Sequence, residues 1–289
     1  MKKLLPVFVI LALLLPNALA QCPQMAETDY PCVDGSTATL PLSYALMQAA
    51  TGVDESTAMA AITHSKTTES FYALTYGDAD LLLVYEPSED AWQIAEEQGV
   101  ALHAEPIGLD ALVFLINEAN PVDSLTQTQI VDIYSGKTTN WEEVGGDNLE
   151  IVAYQRVENS GSQVMMKAQV MKDVAMMPAP AALRTGEMGE LIDAIAAYKN
   201  TADAIGYSVY YYVNNMYIQE GLKLLKVDGI APSNETIASG EYPYCQPFYA
   251  VIRADEPADS PAHQLFDWLV TQEGADFIQA AGYVLATTK

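Results

Sequence analysis

The feature that most constrains the fold of this chain is an alternation of short apolar runs with longer segments of helical spacing. Such runs are typical of buried strands, and connecting helices place neighbouring strands parallel in one sheet. The runs that we predict to be strands cover residues 80–85, 111–116, 151–154 and 248–252. The segments that we predict to be helices lie near residues 41–51, 89–98, 126–134, 161–172, 187–197 and 261–280. The pattern therefore predicts an α/β protein with mixed, mostly parallel sheets.

Residues 1–20 have the pattern of a secretory signal peptide. Lys2 and Lys3 precede an apolar stretch, and the small-residue triplet 18–20 follows it. The stretch is shorter than the roughly 20 residues of a membrane-spanning helix. We therefore expect cleavage after residue 20 and export to the periplasm or the cell exterior. A lipid anchor on Cys22 is the alternative, which Gln21 disfavours because lipoprotein processing generally requires a small residue before the cysteine.

Composition and motifs exclude several classes of function. The chain has 38 acidic and 13 basic residues and a formal net charge of -25, so we expect no nucleic-acid partner. Its three histidines have no metal-ligand spacing, and no serine stands in a Gly-x-Ser-x-Gly motif. We therefore predict that the protein is not an enzyme and needs no cofactor.

The length of the chain beyond residue 20 suits two lobes better than one compact domain. No flexible, low-complexity linker interrupts the sequence. We therefore expect continuous strands to join the lobes, with hinges near Asn117 and near residues 242–245.

Two loops have the composition of an anion cradle. In residues 34–41, glycine allows close backbone approach, hydroxyl side chains provide donors, and Pro41 suits the first turn of a helix. In residues 156–163, Ser160 is a natural helix cap and the fork of Arg156 matches two oxygens of an anion. The alternative for the second loop is that its serines only cap a helix and Arg156 pairs with an acidic neighbour.

Five short segments follow one another along nearly the whole chain beyond residue 20. They are Gly35-Ser-Thr-Ala-Thr-Leu-Pro41, Ile133-Tyr-Ser-Gly-Lys-Thr-Thr-Asn-Trp141 with Gly145-Gly146, Arg156-x-x-x-Ser160-Gly-Ser162, Ala204-Ile-Gly-Tyr-Ser208 and Ala281-Gly-Tyr283. In this order they resemble the landmarks of the phosphate-binding proteins that serve ABC importers. The resemblance implies a two-lobed periplasmic-binding-protein fold of type II, with two hinge-crossing segments and the anion between the lobes. It implies a first lobe of residues 23–116 and 243–289, and a second lobe of residues 117–242.

The same resemblance implies which residues bind the anion. They are Arg156, Ser160, Gly161 and Ser162 in the second loop, and hydroxyl groups among Ser36, Thr37 and Thr39 in the first.

The sequence departs from the family pattern at two positions. The family has an aspartate after an early strand that accepts the proton of hydrogen phosphate, and Glu86 is the candidate acceptor here, unless it faces solvent. The family also has a glycine-serine turn that donates a hydroxyl, for which Ser65 or Thr67 are the candidates. Lys66, between them, adds positive charge to the cleft or is simply solvated.

Export permits disulfides, and the odd count of three cysteines leaves one thiol over. We expect a disulfide between Cys32 and Cys245, because both lie near Tyr-Pro pairs and the implied fold returns the late segment to the first lobe. Pairing of Cys22 with Cys32 is the competing arrangement.

These inferences predict a monomeric receptor that captures phosphate or a similar tetrahedral oxyanion for the membrane subunits of an ABC importer. One alternative is a sensory or adhesive module with the same fold. Another is a binder of sugars or other small solutes, for which the aromatic residues would stack on the ligand. Those residues are Tyr207, Tyr210, Tyr211, Tyr212 and Tyr217.

Overall fold

A computed structural model describes residues 21–179, 183–197, 202–217 and 220–286. The predicted signal peptide lies outside the described residues. Within the described ranges, no helix combines the length and the apolar character needed to cross a membrane.

The four predicted strands are confirmed, as β2, part of β3, β5 and part of β11. The described strands are β1 (Val33–Gly35), β2 (Leu81–Val84), β3 (Leu102–Asn117), β4 (Ser124–Leu125), β5 (Val152–Ala153), β6 (Gln155–Arg156), β7 (Arg184–Thr185), β8 (Ala204–Val209), β9 (Leu222–Leu224), β10 (Lys226–Val227) and β11 (Cys245–Arg253). All four residues of β2 are buried, so its continuous apolar run covers both faces of the strand.

The predicted helices are also confirmed, with two differences. The described helices are α1 (Leu40–Thr51), α2 (Glu55–Ala61), α3 (Thr67–Tyr76), α4 (Glu89–Glu97), α5 (Gln127–Tyr134), α6 (Gly161–Met165), α7 (Met188–Ala197), α8 (Asn234–Ala238), α9 (Pro261–Leu269) and α10 (Gln272–Ala280). The helix expected over residues 261–280 is divided because Thr271 caps a new helix, its side chain accepting from the Gly274 N–H. The helix expected over residues 161–172 is α6 followed by a π-helical turn at Met166–Met171.

The main sheet is mixed. It joins strands in the order β1-β2-β11-β3-β8-β5, and β9 also pairs with β3. The pairs β1–β2 and β5–β8 are parallel, as expected for strands that helices connect. β11 runs antiparallel to β2 and β3, and β3 runs antiparallel to β8 and β9. Antiparallel pairs therefore outnumber parallel pairs in this sheet, unlike the mostly parallel sheets expected, because β3 and β11 run opposite to their neighbours.

The long strand β3 belongs to both halves of this sheet. Its residues 102–111 pair with β11, and its residues 112–116 pair with β8. We call β1, β2, β11 and residues 102–111 the first half-sheet, and β5, β8, β9 and residues 112–117 the second half-sheet. The continuous strand sets the two halves side by side, so loops that follow strands of both halves converge where the halves meet.

Aromatic side chains pack the second half-sheet against its helices. The ring of Phe114 lies 6.0–6.4 Å from the rings of Tyr134, Tyr207 and Tyr244, measured between centroids. Trp141 is fully buried, and its indole N–H donates to the Asp203 carbonyl at 2.8 Å. These contacts hold β3, α5 and β8 in fixed relative positions.

The predicted disulfide is wrong in this structure, because Cys22, Cys32 and Cys245 are all free thiols. Cys245 begins β11, whereas Cys32 directly precedes β1, level with the other end of β11. Cys32 is level with Arg253, which lies eight residues from Cys245 along β11, or roughly 27 Å at 3.4 Å per residue. A disulfide needs Cα atoms within about 7 Å of each other.

Candidate functional site

A small cavity lies where the two half-sheets meet. Loops that follow β1 and β2 contribute to one wall, and loops that follow β6 and β8 contribute to the other. The lining residues are Ser36, Thr37, Ala38, Lys66, Thr67, Tyr85, Arg156, Ser160, Gly161, Ser162, Met188 and Val209.

The first wall begins with a tight turn after β1. A side chain at Gly35 would overlap the Leu83 carbonyl oxygen, so only glycine lets the backbone pass β2 this closely. Beyond it, the Thr39 hydroxyl donates to the Ser36 carbonyl at 2.9 Å and also contacts the Leu83 carbonyl. Thr39 therefore stabilises the turn from behind. Of the three predicted hydroxyl residues of this loop, the structure brings Ser36 and Thr37 to the cavity and leaves Thr39 outside.

Ser36 is the centre of a hydrogen-bonded group on this wall. Its Oγ accepts from the Tyr85 N–H at 3.1 Å and lies 2.8 Å from the Thr67 Oγ1. The Ser36 and Thr67 hydroxyls exchange one hydrogen bond, so one of the two protons remains available to a ligand.

Ser65 is not at the cavity, because its own hydrogen bonds hold it elsewhere. Its N–H donates to Asp34 Oδ1 at 2.7 Å and its hydroxyl donates to Asp34 Oδ2 at 2.5 Å. The alternative that the sequence left open, Thr67, lines the cavity instead.

Lys66 joins the two walls. Its Nζ lies 2.6 Å from Glu187 Oε1, on the segment that leads into α7, and both side chains are partly exposed. Its backbone has φ 82° and ψ 170°, a conformation that is normally confined to glycine. Surrounding contacts must therefore hold this residue in place.

The second wall is built around Arg156, which is 4% exposed. Its Nη2 donates to the Gly186 carbonyl at 2.9 Å and its Nε donates to the Thr185 carbonyl at 3.3 Å. Nη1 is buried and has no hydrogen-bond partner among the residues that the structure describes. Burial lowers the pKa of Arg156 from its ordinary value, but a guanidinium stays cationic in proteins.

Residues 160–162 form the N-terminus of α6. The Ser160 hydroxyl caps the helix by accepting from the Gln163 N–H at 3.4 Å, as the capping alternative expected. Gly161 packs closely against Thr67 of the opposite wall. A Cβ atom at position 161 would lie only 2.5 Å from the Thr67 Oγ1, so a larger residue does not fit there. The Ser162 hydroxyl is buried without a partner, and the first N–H groups of any helix lack intrahelical acceptors.

Two further expectations concern residues that do not line the cavity. Glu86 is exposed, and its Oε1 accepts from the Trp92 indole N–H at 3.0 Å. The tyrosines considered for sugar stacking pack against other rings or the core, for example Tyr211 on Tyr283 with ring centroids 3.7 Å apart. Tyr85, Met188 and Val209 line the cavity but were not predicted as site residues, although Tyr85 adjoins the predicted Glu86.

A larger and more open groove lies on the other side of Arg156, between α6, the loop of residues 172–179 and Arg184. Its walls carry methionines, and one of its lysines, Lys167, pairs with Glu158. Arg156 and Ser162 each have a buried donor without a partner among the described residues. Arg156 lines both the groove and the smaller cavity, whereas Ser162 lines only the smaller cavity. The smaller cavity is therefore the candidate site.

Donors dominate this cavity. Arg156 and Ser162, each with a buried donor that has no partner among the described residues, line it together with the N-terminus of α6 and the hydroxyl residues of the opposite wall. Such an arrangement is suited to a compact anion with several oxygens.

The chain is similar in sequence to a protein family and to phosphate-binding proteins of two bacteria. The sequence profile of the PBP superfamily domain matches residues 24–273. The phosphate-binding protein PstS of Borreliella burgdorferi is 26% identical over 180 residues, which is 61% of this chain and 63% of the relative. PstS of Bacillus subtilis is 26% identical over 211 residues, 69% of this chain and 66% of the relative. These alignments thus span slightly less than two thirds of the relatives' length.

Solved structures share the fold. A phosphate ABC transporter substrate-binding protein from Clostridium perfringens with bound phosphate superposes with a TM-score of 0.68 at 20% identity, covering 89% of this chain and 100% of that one. An ABC-type phosphate transport receptor from Vibrio cholerae superposes with a TM-score of 0.64 at 22% identity, covering 88% and 99%.

Proposed function

Since the chain belongs to the PBP superfamily, we propose that it is a non-enzymatic receptor that binds phosphate or a similar tetrahedral oxyanion. The two-lobed fold of type II expected from the sequence is confirmed by the structural matches. The proposed ligand site is the cavity between the two half-sheets.

One observation carries this proposal. The guanidinium of Arg156 and the hydroxyl of Ser162 each have a buried donor without a partner, and both residues line the same cavity. A buried unsatisfied donor costs about 1–3 kcal/mol, and more when it is charged. An anion in the cavity satisfies both donors at once.

Each residue of the cavity has a proposed role in binding. Arg156 and Ser162 donate to the anion directly, and the Gly161 and Ser162 N–H groups add backbone donors. Ser160 orients these groups as the helix cap. From the opposite wall, Thr37 and one hydroxyl of the Ser36–Thr67 pair complete the set, while Ser65 and Thr39 only support the loop.

The relatives support phosphate as the ligand, since those named above are called phosphate-binding proteins or phosphate transport receptors. Because two of them are named as parts of phosphate ABC transport, we propose that the protein delivers its ligand to the membrane subunits of an ABC importer. The signal-peptide pattern of residues 1–20 supports export, and we also propose that the protein acts as a monomer.

We also propose the lobe boundaries: a first lobe of residues 23–116 and 243–289, and a second lobe of residues 117–242. The change of partner along β3 at residues 111–112 and the start of β11 at Cys245 support hinges close to these boundaries. The Thr67 and Gly161 walls already lie in contact, so a movement around such hinges would open the cavity to admit the ligand and then close it again.

Titration calorimetry of the purified protein with phosphate, sulfate and a panel of sugars tests the function. We expect saturable binding of phosphate, and a loss of at least about a hundredfold in Arg156→Ala because a buried, charge-assisted contact disappears. Arg184→Ala is the matched control, since Arg184 is exposed on the neighbouring strand and does not line the cavity. Binding of a sugar alone would refute the function. Unchanged phosphate binding by Arg156→Ala would refute the site.

A further inference from the structure

Tyr85 lines the cavity and is hydrogen-bonded to elements of both walls. Its N–H donates to the Ser36 Oγ at 3.1 Å, and its hydroxyl donates to Asp110 Oδ2 at 2.6 Å. Asp110 also accepts from the N–H of Tyr211, two residues beyond Val209. Because Ser36 and Val209 line opposite walls of the cavity, these hydrogen bonds connect Tyr85 with both walls.

Asp110 is 1% exposed and is surrounded by donors. Its Oδ1 accepts from the Ala111 N–H at 2.7 Å and from the Tyr211 N–H at 3.1 Å, while its Oδ2 accepts from Tyr85. Burial raises the pKa of Asp110 to about 6, which leaves the carboxyl ionised at neutral pH. Burial also raises the pKa of Tyr85 well above its ordinary value, so the tyrosine keeps its proton.

The proton of the Tyr85 hydroxyl is therefore committed to Asp110. A hydroxyl has one proton to donate and two lone pairs to accept with. With its proton engaged, the Tyr85 oxygen offers only lone pairs to a ligand, whereas Arg156 and Ser162 offer donors. The complement of such a site is an anion that carries one proton of its own.

Two other carboxylates near the cavity do not fill this role. Asp34 accepts from the Gly35 N–H at 2.6 Å and from both donors of Ser65, and it does not line the cavity. Glu86 is exposed and accepts from Trp92.

We propose that Tyr85, held by Asp110, accepts a hydrogen bond from the protonated oxygen of the ligand and so selects hydrogen phosphate over sulfate. This inference rests on the proposed function. Tyr85 touches the ligand, and Asp110 is a positioning residue that sets the direction of the tyrosine proton.

Calorimetry at pH 7.5 with sodium phosphate and sodium sulfate tests this selection. We expect the wild-type protein to prefer phosphate by at least about a hundredfold, because a site that hydrogen-bonds a ligand hydroxyl rejects the analogue lacking it. In Tyr85→Phe the ligand proton has no acceptor, so phosphate affinity should fall by roughly ten- to a hundredfold while sulfate affinity is kept or rises.

Asp110→Asn provides a second variant. An amide group can donate to the Tyr85 oxygen, which frees the tyrosine proton to point at the ligand. We therefore expect weaker phosphate binding together with stronger sulfate binding. A purely structural defect would weaken both anions alike. Tyr134→Phe is the matched control, because Tyr134 is a buried tyrosine whose hydroxyl has no partner and does not line the cavity.

The outcomes separate this inference from the proposed function. If the wild-type protein binds neither anion, the function fails and the inference fails with it. If phosphate binds but Tyr85→Phe keeps the wild-type ratio of phosphate to sulfate affinity, only the inference fails. A wild-type preference below about tenfold also overturns the inference, even if neither variant folds.

Discussion

The residue that most strongly indicates an anion site is Arg156. Its guanidinium is buried and donates to two neutral carbonyl groups, and it forms no ion pair with any of the described residues. A buried charge without a partner is costly to fold. An anion in the cavity supplies the missing charge. Arg156 therefore stabilises the folded protein more when the anion is bound than when the cavity is empty.

Asp110 leads to a prediction on pH and stability. Burial raises its pKa from 3.8 to about 6, so the folded protein holds this proton more tightly than the unfolded chain. The stabilisation by protonated Asp110 is fully present below about pH 4 and is lost as pH rises through 6. Over this interval the free energy of unfolding should fall by on the order of 3 kcal/mol because of this group.

Urea unfolding of the wild-type protein and of Asp110→Asn between pH 4 and pH 8 measures this effect. We expect the stability of the wild-type protein, relative to the variant, to decrease as pH rises over this interval. A relative stability that does not change with pH, or that increases, would contradict the assignment.

At the scale of elements, the site consists of loops at strand ends. β1 leads to Ser36, β2 to Tyr85, β6 to the α6 N-terminus, and β8 ends at Val209. In α/β sheets ligands commonly bind beyond the carboxyl ends of strands, because helix N-termini and flexible loops meet there. The elements thus set donors from both half-sheets around one small space.

The ion pair between Lys66 and Glu187 connects the start of α3 with the segment before α7, across the cavity. An exposed pair contributes about 0.2–1 kcal/mol, so we expect Lys66→Gln or Glu187→Gln to raise the dissociation rate of the ligand only about two- to fivefold. Stopped-flow displacement measures the rate. The effect should shrink at high salt, because salt screens exposed charges.

Lys223→Gln is the control for this prediction. Lys223 lies in β9 and pairs with Asp123, which directly precedes β4, and neither residue lines the cavity. The two substitutions Lys66→Gln and Glu187→Gln can also be combined in one protein. If this double variant releases the ligand as slowly as the wild-type protein, the ion pair does not hold the walls together.

At the scale of the whole molecule, charge and function oppose each other. The chain has a formal net charge of -25, yet the proposed ligand is an anion. Short, buried hydrogen bonds dominate affinity once the ligand is bound, whereas the long-range field acts on its approach.

We therefore expect the association rate of phosphate to increase when sodium chloride is raised from about 20 mM to about 200 mM, since salt screens the repulsion. The dissociation rate should change little apart from the small effect of the Lys66–Glu187 pair. Stopped-flow fluorescence resolves both rates. An association rate that falls with salt would mean that the local field of the cavity outweighs the net charge.

The sequence by itself determined the α/β class, the main strands and helices, and the second of the two loops that line the candidate cavity. These follow from local causes: apolar periodicity, helix caps, and the spacing of Arg156, Ser160 and Ser162. Even the capping role of Ser160 was foreseeable, because an N-cap needs only neighbouring backbone groups.

Only the tertiary structure decided the rest. Whether a hydroxyl faces the ligand depends on which partners it meets across the fold, so Thr39 turned towards Leu83, Ser65 was held by Asp34, and Thr67 reached the cavity. The separation of Cys32 from Cys245 depends on strand register, which residue contexts do not reveal. The pairing of Tyr85 with Asp110 joins residues 25 positions apart, and it arises because β2 and β3 both flank β11.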